Sequence, residues 1–223
     1  MTLLTMFNIL LYRYSGQKDI LVGTPIANRT HYKTEDLIGF FVNTLVLRTR
    51  IKPAHPITEL LEQVRQTALE AYAHQDIPFE YLIEQLNPTR SLSHSPLFQA
   101  MFVLQNAPMG TLDLEGLEVS LLDQKNTTTK FDITLSIEEQ GDELVCDWEY
   151  CTDLFHKKTI ERMIEHFKIL LDGITNNPEQ LVSQLPLLTE TEIQHFKSWN
   201  QTETNYPKEK TLVDLFQEQV EKM

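Results

Sequence analysis

Two short stretches of the 223-residue sequence contain side chains that suit acid–base chemistry. His74 and Asp76 lie two residues apart in HQDIPFE, and His94 lies among three serines in RSLSHSPLFQ. Either histidine would serve as a general base for acyl transfer if a reacting group lay within hydrogen-bond distance. A nucleophilic serine needs a strained elbow such as GxSxG, and no such motif surrounds these serines. Catalysis by this chain is therefore one interpretation, although the sequence contains no recognisable nucleophile motif.

A structural role explains HQDIPFE better than catalysis does. Residues two apart do not share a helix face, and Pro78 suits the first turn of a helix. We predict that Gln75 and Asp76 cap this helix and that Phe79 fixes its start to the core.

The stretch LIGFFVNTLVLRTR, residues 37–50, interrupts an apolar run with a glycine and an amide. Gly39 lets the backbone bend or approach another group closely. Asn43, if buried, must find hydrogen-bond partners, because an unpaired amide in an apolar site is costly. The composition therefore predicts a strand that begins with a bulge and contains a satisfied amide.

Composition and charge disfavour several classes of function. The net charge of −13 disfavours nucleic acid and anionic membrane surfaces as partners. The apolar start MTLLTMFNILLY is shorter than the roughly 20 residues of a membrane span and lacks the features of a signal peptide. Cys146 and Cys151 have no CxxC or His-rich neighbours, which predicts free, mostly buried thiols, no metal site and a cytoplasmic protein.

Apolar spacing predicts helices and buried strands that are mixed along the chain. The predicted helices are 3–14, 56–73, 78–86 and 157–174, and the predicted strands are 20–23, 97–104, 131–138 and 143–150. The fold class is therefore α/β, with a mixed, partly parallel sheet covered by helices. After about residue 184 the composition predicts a linker with one short helix that begins at Thr189. A final helix begins at Thr211, and its apolar face has nothing left in the chain to pack against except the preceding body.

Five stretches, taken together and in this order, resemble the condensation domain of nonribosomal peptide synthetases. They are YRYSGQKDILVGTPIANR, LIGFFVNTLVLR, AYAHQDIPFEYLIEQLNPTRSLSHSPLFQAMFVLQN, KFDITLSIEE and WEYCTDLFHKKTIERMIEHFKILLDGI. LPLLTETE, WNQTETNYP and TLVDLFQEQVE are similar to the linker and opening helix of the adenylation domain that follows. The resemblance divides the chain into a C-terminal condensation lobe (1–184), a linker (185–207) and the truncated start of an adenylation domain (208–223).

The resemblance implies a chloramphenicol-acetyltransferase-like lobe, one of two that form a V around a central tunnel. It implies that carrier domains deliver aminoacyl or peptidyl groups on phosphopantetheine arms, that an amine attacks a thioester to form a peptide bond, and that no cofactor binds this chain directly. The signature HHxxxDG of the N-terminal lobe does not occur in the sequence. We therefore expect a fragment that begins at the first helix of the C-terminal lobe and is inactive without the N-terminal lobe.

The resemblance also assigns roles to individual residues. Arg29 corresponds to the arginine that pairs with the aspartate of HHxxxDG and supports the active site. The residues that correspond to tunnel or lobe-interface motifs are Gly39, Phe41, Asn43, Thr44, Gln75, Pro78, Phe79, Glu80, Arg90, Pro96, Phe98 and Gln99. Ser91, His94 and Ser95 replace the Asp, Arg and Asn of the motif RDxSRNPLFQ, which removes no known catalytic group. No catalytic residue is expected in this chain.

Three functions remain open at this point. The first is a truncated or split piece of a peptide-synthetase module, with the N-terminal lobe, carrier domains and adenylation domain as partners. The second is a non-catalytic remnant or docking partner of a synthetase. The third is a small acyltransferase that uses His74 or His94 as its base.

Overall fold

The computed structural model describes residues 1–35, 37–89, 95–105, 128–205 and 208–222. By its internal contacts the chain divides into two units, Met1–Leu187 and Leu188–Met223. The sequence-based boundaries at 184/185 and 207/208 concern functional domains, and they stay predictions.

A mixed five-stranded sheet lies at the centre of the first unit. Its strands are β1 (Asp19–Ile26), β2 (Asn43–Arg50), β3 (Ala100–Gln105), β4 (Ile133–Gln140) and β5 (Glu143–Tyr150), in the spatial order β2-β1-β3-β4-β5. The inner pairs β1–β3 and β3–β4 are parallel, and the outer pairs β1–β2 and β4–β5 are antiparallel. This arrangement confirms the predicted α/β class with a partly parallel sheet.

Helices of the first unit pack on this sheet and on one another. They are α1 (Thr2–Ser15), α2 (Ile57–Ala73), α3 (Phe79–Leu86) and α4 (Lys157–Asn176). The seven consecutive residues 4–10 of α1 are buried, as its nearly all-round apolar sequence predicts. Gly16 ends α1 with a φ of 72° and donates its backbone N–H to the carbonyl of Tyr12, which is the predicted left-handed end.

Aromatic side chains join α1 and α4 to the sheet. The ring of Phe7 on α1 lies 6.0 Å from that of Phe102 on β3 and 6.0 Å from that of Trp148 on β5. Trp148 in turn meets Phe167 of α4 edge to face at 5.8 Å. These contacts place the apolar core between one face of the sheet and these two helices.

The second unit contains two described helices, α5 (Glu190–Trp199) and α6 (Leu212–Glu221). Both begin with a reciprocal capping box, formed by Thr189 with Glu192 and by Thr211 with Asp214, which confirms the predicted starts. The large apolar side chains of α6 are exposed, as expected; they are Leu212, Val213, Phe216 and Val220.

Several local expectations are wrong. The strand predicted from residue 97 begins at Ala100, and β2 begins at Asn43 without a bulge, because its register with β1 is continuous. β1 continues through Pro25, since that residue is paired with β2 and lies beyond the described pairing with β3. Both cysteines are free, but Cys146 is exposed because β5 is the outer strand of the described sheet.

Candidate functional site

The first turn of α3 is held in place by an amide from a distant strand. The Nδ2 group of Asn43 on β2 donates to the carbonyls of Gln75 and Ile77, each at 2.8 Å. Its Oδ1 accepts the backbone N–H of Phe79 at 3.1 Å. Both donors and the acceptor of the amide are therefore used. We call Asn43, Gln75, Ile77 and Phe79 the Asn43 junction.

The cap of α3 differs from the prediction made from HQDIPFE. Pro78 is the N-cap residue, and it provides no side-chain hydrogen bond to the helix. The expected cap by Gln75 and Asp76 is wrong, because the side-chain oxygen of Asn43 satisfies the first free N–H of α3 instead. Gln75 contributes through its backbone carbonyl. The predicted satisfied amide at Asn43 is confirmed.

An aromatic cluster lies behind the Asn43 junction. The ring of Phe98 lies 5.6 Å from that of Phe79 and 5.3 Å from that of Phe131. The first contact confirms that Phe79 fixes the start of α3 to the core, since Phe98 is almost fully buried. We call Phe79, Phe98 and Phe131 the aromatic cluster.

Gly23 of β1 makes room for this cluster. A Cβ atom built at Gly23 would lie 2.2 Å from Cε2 of Phe98, a distance that carbon atoms do not tolerate. The sequence offered one signal of this role, a glycine inside a buried strand pattern, which often marks the close approach of another group. The partner of Gly23 was not predictable, because it depends on the register of β3 beside β1.

Arg29 lies against the ring of Phe41. Its Cζ atom is 4.3 Å from the ring centroid, and its Nη1 group donates to the backbone carbonyls of Thr34 and Glu35. Gly39 also approaches this ring, because a Cβ atom at that position would lie 3.0 Å from Cε2 of Phe41. The guanidinium group is thus held in position by described contacts to a ring and to backbone. Its pairing with a carboxylate of another lobe stays a prediction.

The residues just before Asn43 expose apolar side chains. Ile38 is fully exposed and Phe40 is 91% exposed, and Leu37 and Val42 are also exposed. Ile77, whose carbonyl bonds to Asn43, is exposed as well. We call residues 37–42 the apolar segment. Exposed apolar side chains in this number indicate an interaction surface rather than free solvent contact.

Two further predicted site residues lie beside the junction without joining it. Thr44 is half-buried and stands opposite Pro25 in the β1–β2 ladder. Glu80 is exposed in the first turn of α3, where the helix dipole favours a carboxylate.

The stretch RSLSHSPLFQ, residues 90–99, is only partly within the described residues. Pro96 is half-buried and comes shortly before Phe98. Gln99 is exposed and donates its amide to the carbonyl of Ser95 at 2.9 Å, so its side chain is not in the Asn43 junction. Arg90 and His94 lie outside the described residues. The structure therefore brings together Asn43, Gln75, Pro78, Phe79 and Phe98, with Arg29, Gly39 and Phe41 in a second group.

His74 is exposed at the C-terminal end of α2. Within the described parts of the chain, no group of three or more His, Cys, Asp and Glu side chains has the arrangement needed to hold a metal ion. None of the described helices has the length and apolar character to cross a membrane.

Comparison with known proteins gives consistent matches over most of the chain. A family model described as a condensation domain matches residues 1–196. A linear gramicidin synthase of Brevibacillus parabrevis is 53% identical over 215 residues, which are 95% of this chain and 3% of that protein. Gramicidin S synthase 2 of Brevibacillus brevis is 44% identical over 223 residues, or 100% of this chain and 5% of that protein. The chain thus spans about a twentieth or less of these relatives.

Two solved structures share the fold. A holo four-domain nonribosomal peptide synthetase bound to AMP and glycine superimposes with a TM-score of 0.76 at 24% identity, over 98% of this chain and 18% of that chain. The X-domain from teicoplanin biosynthesis superimposes with a TM-score of 0.77 at 22% identity, over 83% of this chain and 43% of that chain. At these identities the similarity concerns the fold alone.

Proposed function

The chain belongs to the condensation-domain family, and we propose that it supplies the C-terminal half of a condensation domain in a nonribosomal peptide synthetase. In such a domain the amine of an acceptor aminoacyl thioester attacks the carbonyl of a donor thioester. The new amide bond replaces the thioester bond, and the thiol of the donor carrier leaves. This chain would form one side of the tunnel in which the two groups meet.

One observation carries this proposal: the Asn43 junction fixes the strand that follows an exposed apolar segment. A segment that ends in a rigid three-bond anchor has a defined position, although its apolar side chains face solvent. That combination suits a surface that a second lobe covers. The apolar segment would then form the lobe interface beside the tunnel.

Arg29 would complete the site of the neighbouring lobe. Its guanidinium group is pre-positioned by Phe41 and by the carbonyls of Thr34 and Glu35, so little side-chain freedom is lost when a carboxylate approaches. We propose that this carboxylate is the aspartate of HHxxxDG. Because the histidines of that motif supply the proton transfer, the present chain would be inactive alone and would act by positioning two tethered substrates.

The test is reconstitution of the condensation domain from two parts. The purified chain is mixed with donor and acceptor aminoacyl carrier proteins, with and without an N-terminal lobe that contains HHxxxDG, and dipeptidyl carrier is measured by mass spectrometry. We expect product only with both lobes present. Arg29→Ala should lower the rate about tenfold to hundredfold. Without this arginine the HHxxxDG motif of the other lobe would lose a positioning contact, and a misplacement of about 1 Å at a reacting centre has effects of this size. Arg65→Ala is the matched control, since Arg65 is exposed on α2.

The two competing functions give different results in the same experiment. A chain that forms product alone, and loses that activity in His74→Ala, would be a small acyltransferase. A docking partner or remnant would form no dipeptide with either lobe present. The proposed function also predicts a higher melting temperature of this chain on addition of the second lobe, because that lobe binds the folded state, and no shift at saturating lobe would count against a functional split. Product that requires both lobes and Arg29 excludes both alternatives.

A further inference from the structure

A cavity of about 350 Å³ lies at the end of the sheet where the parallel strands begin. Its walls come from the last turns of α1, the first residues of β1, β3 and β4, and the side of α4. The volume falls within the roughly 300–1,000 Å³ that is usual for small-molecule sites. The space is open to solvent on one side, so a small molecule could enter it without a rearrangement of the fold.

The interior of this cavity is apolar and its mouth is polar. Apolar side chains from four elements or their connections form the walls, among them Leu11, Leu21, Leu97, Phe155 and Met163. Three of the uncharged polar residues that line it are more exposed. Ser15, Gln17 and Gln99 are all solvent-accessible, which places hydrogen-bonding groups where the cavity opens. This division suits a molecule with an apolar chain and one polar end.

The charged side chain that lines the cavity already has its ion-pair partners. Asp19 is the charged side chain among the described residues that line the cavity. Its carboxylate is already bound by Arg48 at 2.6 Å, and Arg50 lies 3.6 Å away. Because Arg48 and Arg50 compensate this carboxylate, the polar groups left for a ligand at the mouth are the uncharged ones of Ser15, Gln17 and Gln99, which suit a neutral polar end.

From this geometry we propose that the cavity binds a small neutral amphiphile, such as a linear alcohol or primary amide with about eight carbon atoms. A water molecule occupies about 30 Å³ in the liquid, so a space of this size takes roughly ten to twelve non-hydrogen atoms. The apolar chain would lie between α1 and α4, and the hydroxyl or amide would reach Gln17 and Gln99 at the mouth. This site is separate from the Asn43 junction and does not depend on the proposed function.

The cavity and the aromatic cluster share one short segment of backbone. Leu97 and Gln99 line the cavity, while Phe98 between them packs under Gly23 and against Phe79. A ligand in the cavity would therefore contact the residues on both sides of Phe98. Occupancy should be visible at the amide of Phe98 as well as at the walls.

The test is titration of the isotope-labelled full chain with three probes that have the same chain length. These are 1-octanol, octanoate and octylammonium, followed by amide and methyl chemical shifts. We expect saturable binding of 1-octanol with a Kd on the order of 0.1–1 mM, which is usual for a ligand of nine non-hydrogen atoms. Octanoate and octylammonium should each bind at least about tenfold more weakly. The shifts should be largest at Leu11, Leu97 and Met163.

A matched pair of substitutions on α1 tests the location. Leu11→Trp fills the cavity and should weaken 1-octanol binding at least about tenfold. Leu3→Trp changes another half-buried leucine of the same helix that does not line the cavity, and it should leave the affinity unchanged within about twofold. If Leu11→Trp does not fold, the shift map of the wild-type chain decides the location. Non-saturable binding, shifts elsewhere, equal affinity for octanoate, or unchanged binding in folded Leu11→Trp would each overturn the proposal.

Discussion

The Asn43 junction gives the sharpest test of how the site is built. Asn43→Ala removes three hydrogen bonds at once and leaves two carbonyls and one N–H group without their partner. A net contribution of about 0.5–1.5 kcal/mol per bond gives roughly 1.5–4.5 kcal/mol. Because the junction is half-exposed, water can replace some of the lost hydrogen bonds. We therefore expect a loss of about 2 kcal/mol in the free energy of unfolding. For a chain of this size that is a drop of about 4–8 °C in Tm.

Asn43→Asp tests the donor bonds of the amide separately from its acceptor bond. The aspartate would keep an oxygen for the N–H of Phe79 but would place a second oxygen against the carbonyls of Gln75 and Ile77. At neutral pH we expect it to destabilise at least as much as Asn43→Ala, because an acceptor faces two acceptors. On acidification Asn43→Asp should become more stable than Asn43→Ala, since a protonated carboxyl keeps an acceptor for the N–H of Phe79 and regains one donor.

The assay is urea unfolding of the wild type and both variants, combined with hydrogen exchange at the amide of Phe79. Asn176→Ala is the control, because Asn176 is exposed in the last turn of α4 and its change should stay within about 0.5 kcal/mol. If the wild type and Asn43→Ala are equally stable and the Phe79 amide is equally protected in both, then Asn43 of β2 does not cap α3.

Three further outcomes follow from other contacts. Gly23→Ala should cost about 1–3 kcal/mol in urea unfolding, because its Cβ atom would lie 2.2 Å from the ring of Phe98, whereas an unchanged midpoint would mean that the ring moves freely. The hydrogen bonds from Arg48 lower the pKa of Asp19, so this ion pair stabilises the fold above the ordinary carboxyl pKa of about 4 and loses its effect as the pH falls through the lower folded value. Asp19→Asn should therefore differ from the wild type in thermal unfolding at pH 7, and this difference should shrink as the pH falls below the ordinary carboxyl pKa; a constant difference would contradict this cause. Phe40→Ser should leave the stability of the chain within about 0.5 kcal/mol, since the ring is 91% exposed, but should weaken binding of an N-terminal lobe measured by calorimetry, and unchanged binding would remove this ring from the interface.

The regular elements were predictable from the sequence because the spacing of their apolar residues fits only one type of secondary structure. α4 presents Ile160, Met163, Phe167 and Leu170 at helical intervals, and all four are buried. β4 alternates buried and half-buried residues over its first six positions, with Gly141 at a φ of 64° in the turn that follows, whereas β5 is exposed over its first five residues and half-buried over its last three. In α4 and β4 local spacing determines which face is buried, whereas the exposure of β5 follows from its place as an outer strand of the described sheet.

The candidate site was less predictable because its contacts join residues that are far apart in the chain. Asn43 and Phe79 are separated by 36 positions, so spacing cannot indicate that one caps the other. The sequence showed that Asn43 needed partners but offered Gln75 and Asp76 as a nearer cap for α3. The exposure of the apolar segment has the same origin, since its composition is that of a buried strand and only the fold leaves it uncovered.

The contacts at the site form one continuous path from the sheet to the exposed surface. Gly23 admits the ring of Phe98, Phe98 supports Phe79, and the backbone N–H of Phe79 binds Asn43 at the end of the apolar segment. None of these groups titrates near neutral pH or can act as a nucleophile, so their contribution to a reaction would be positional. A substitution at Gly23 should therefore affect the position of the apolar segment indirectly, through Phe98 and Phe79. In a double-mutant cycle, Gly23→Ala and Asn43→Ala should be non-additive by about 0.5 kcal/mol or more, and strict additivity would mean that the path is broken at the aromatic cluster.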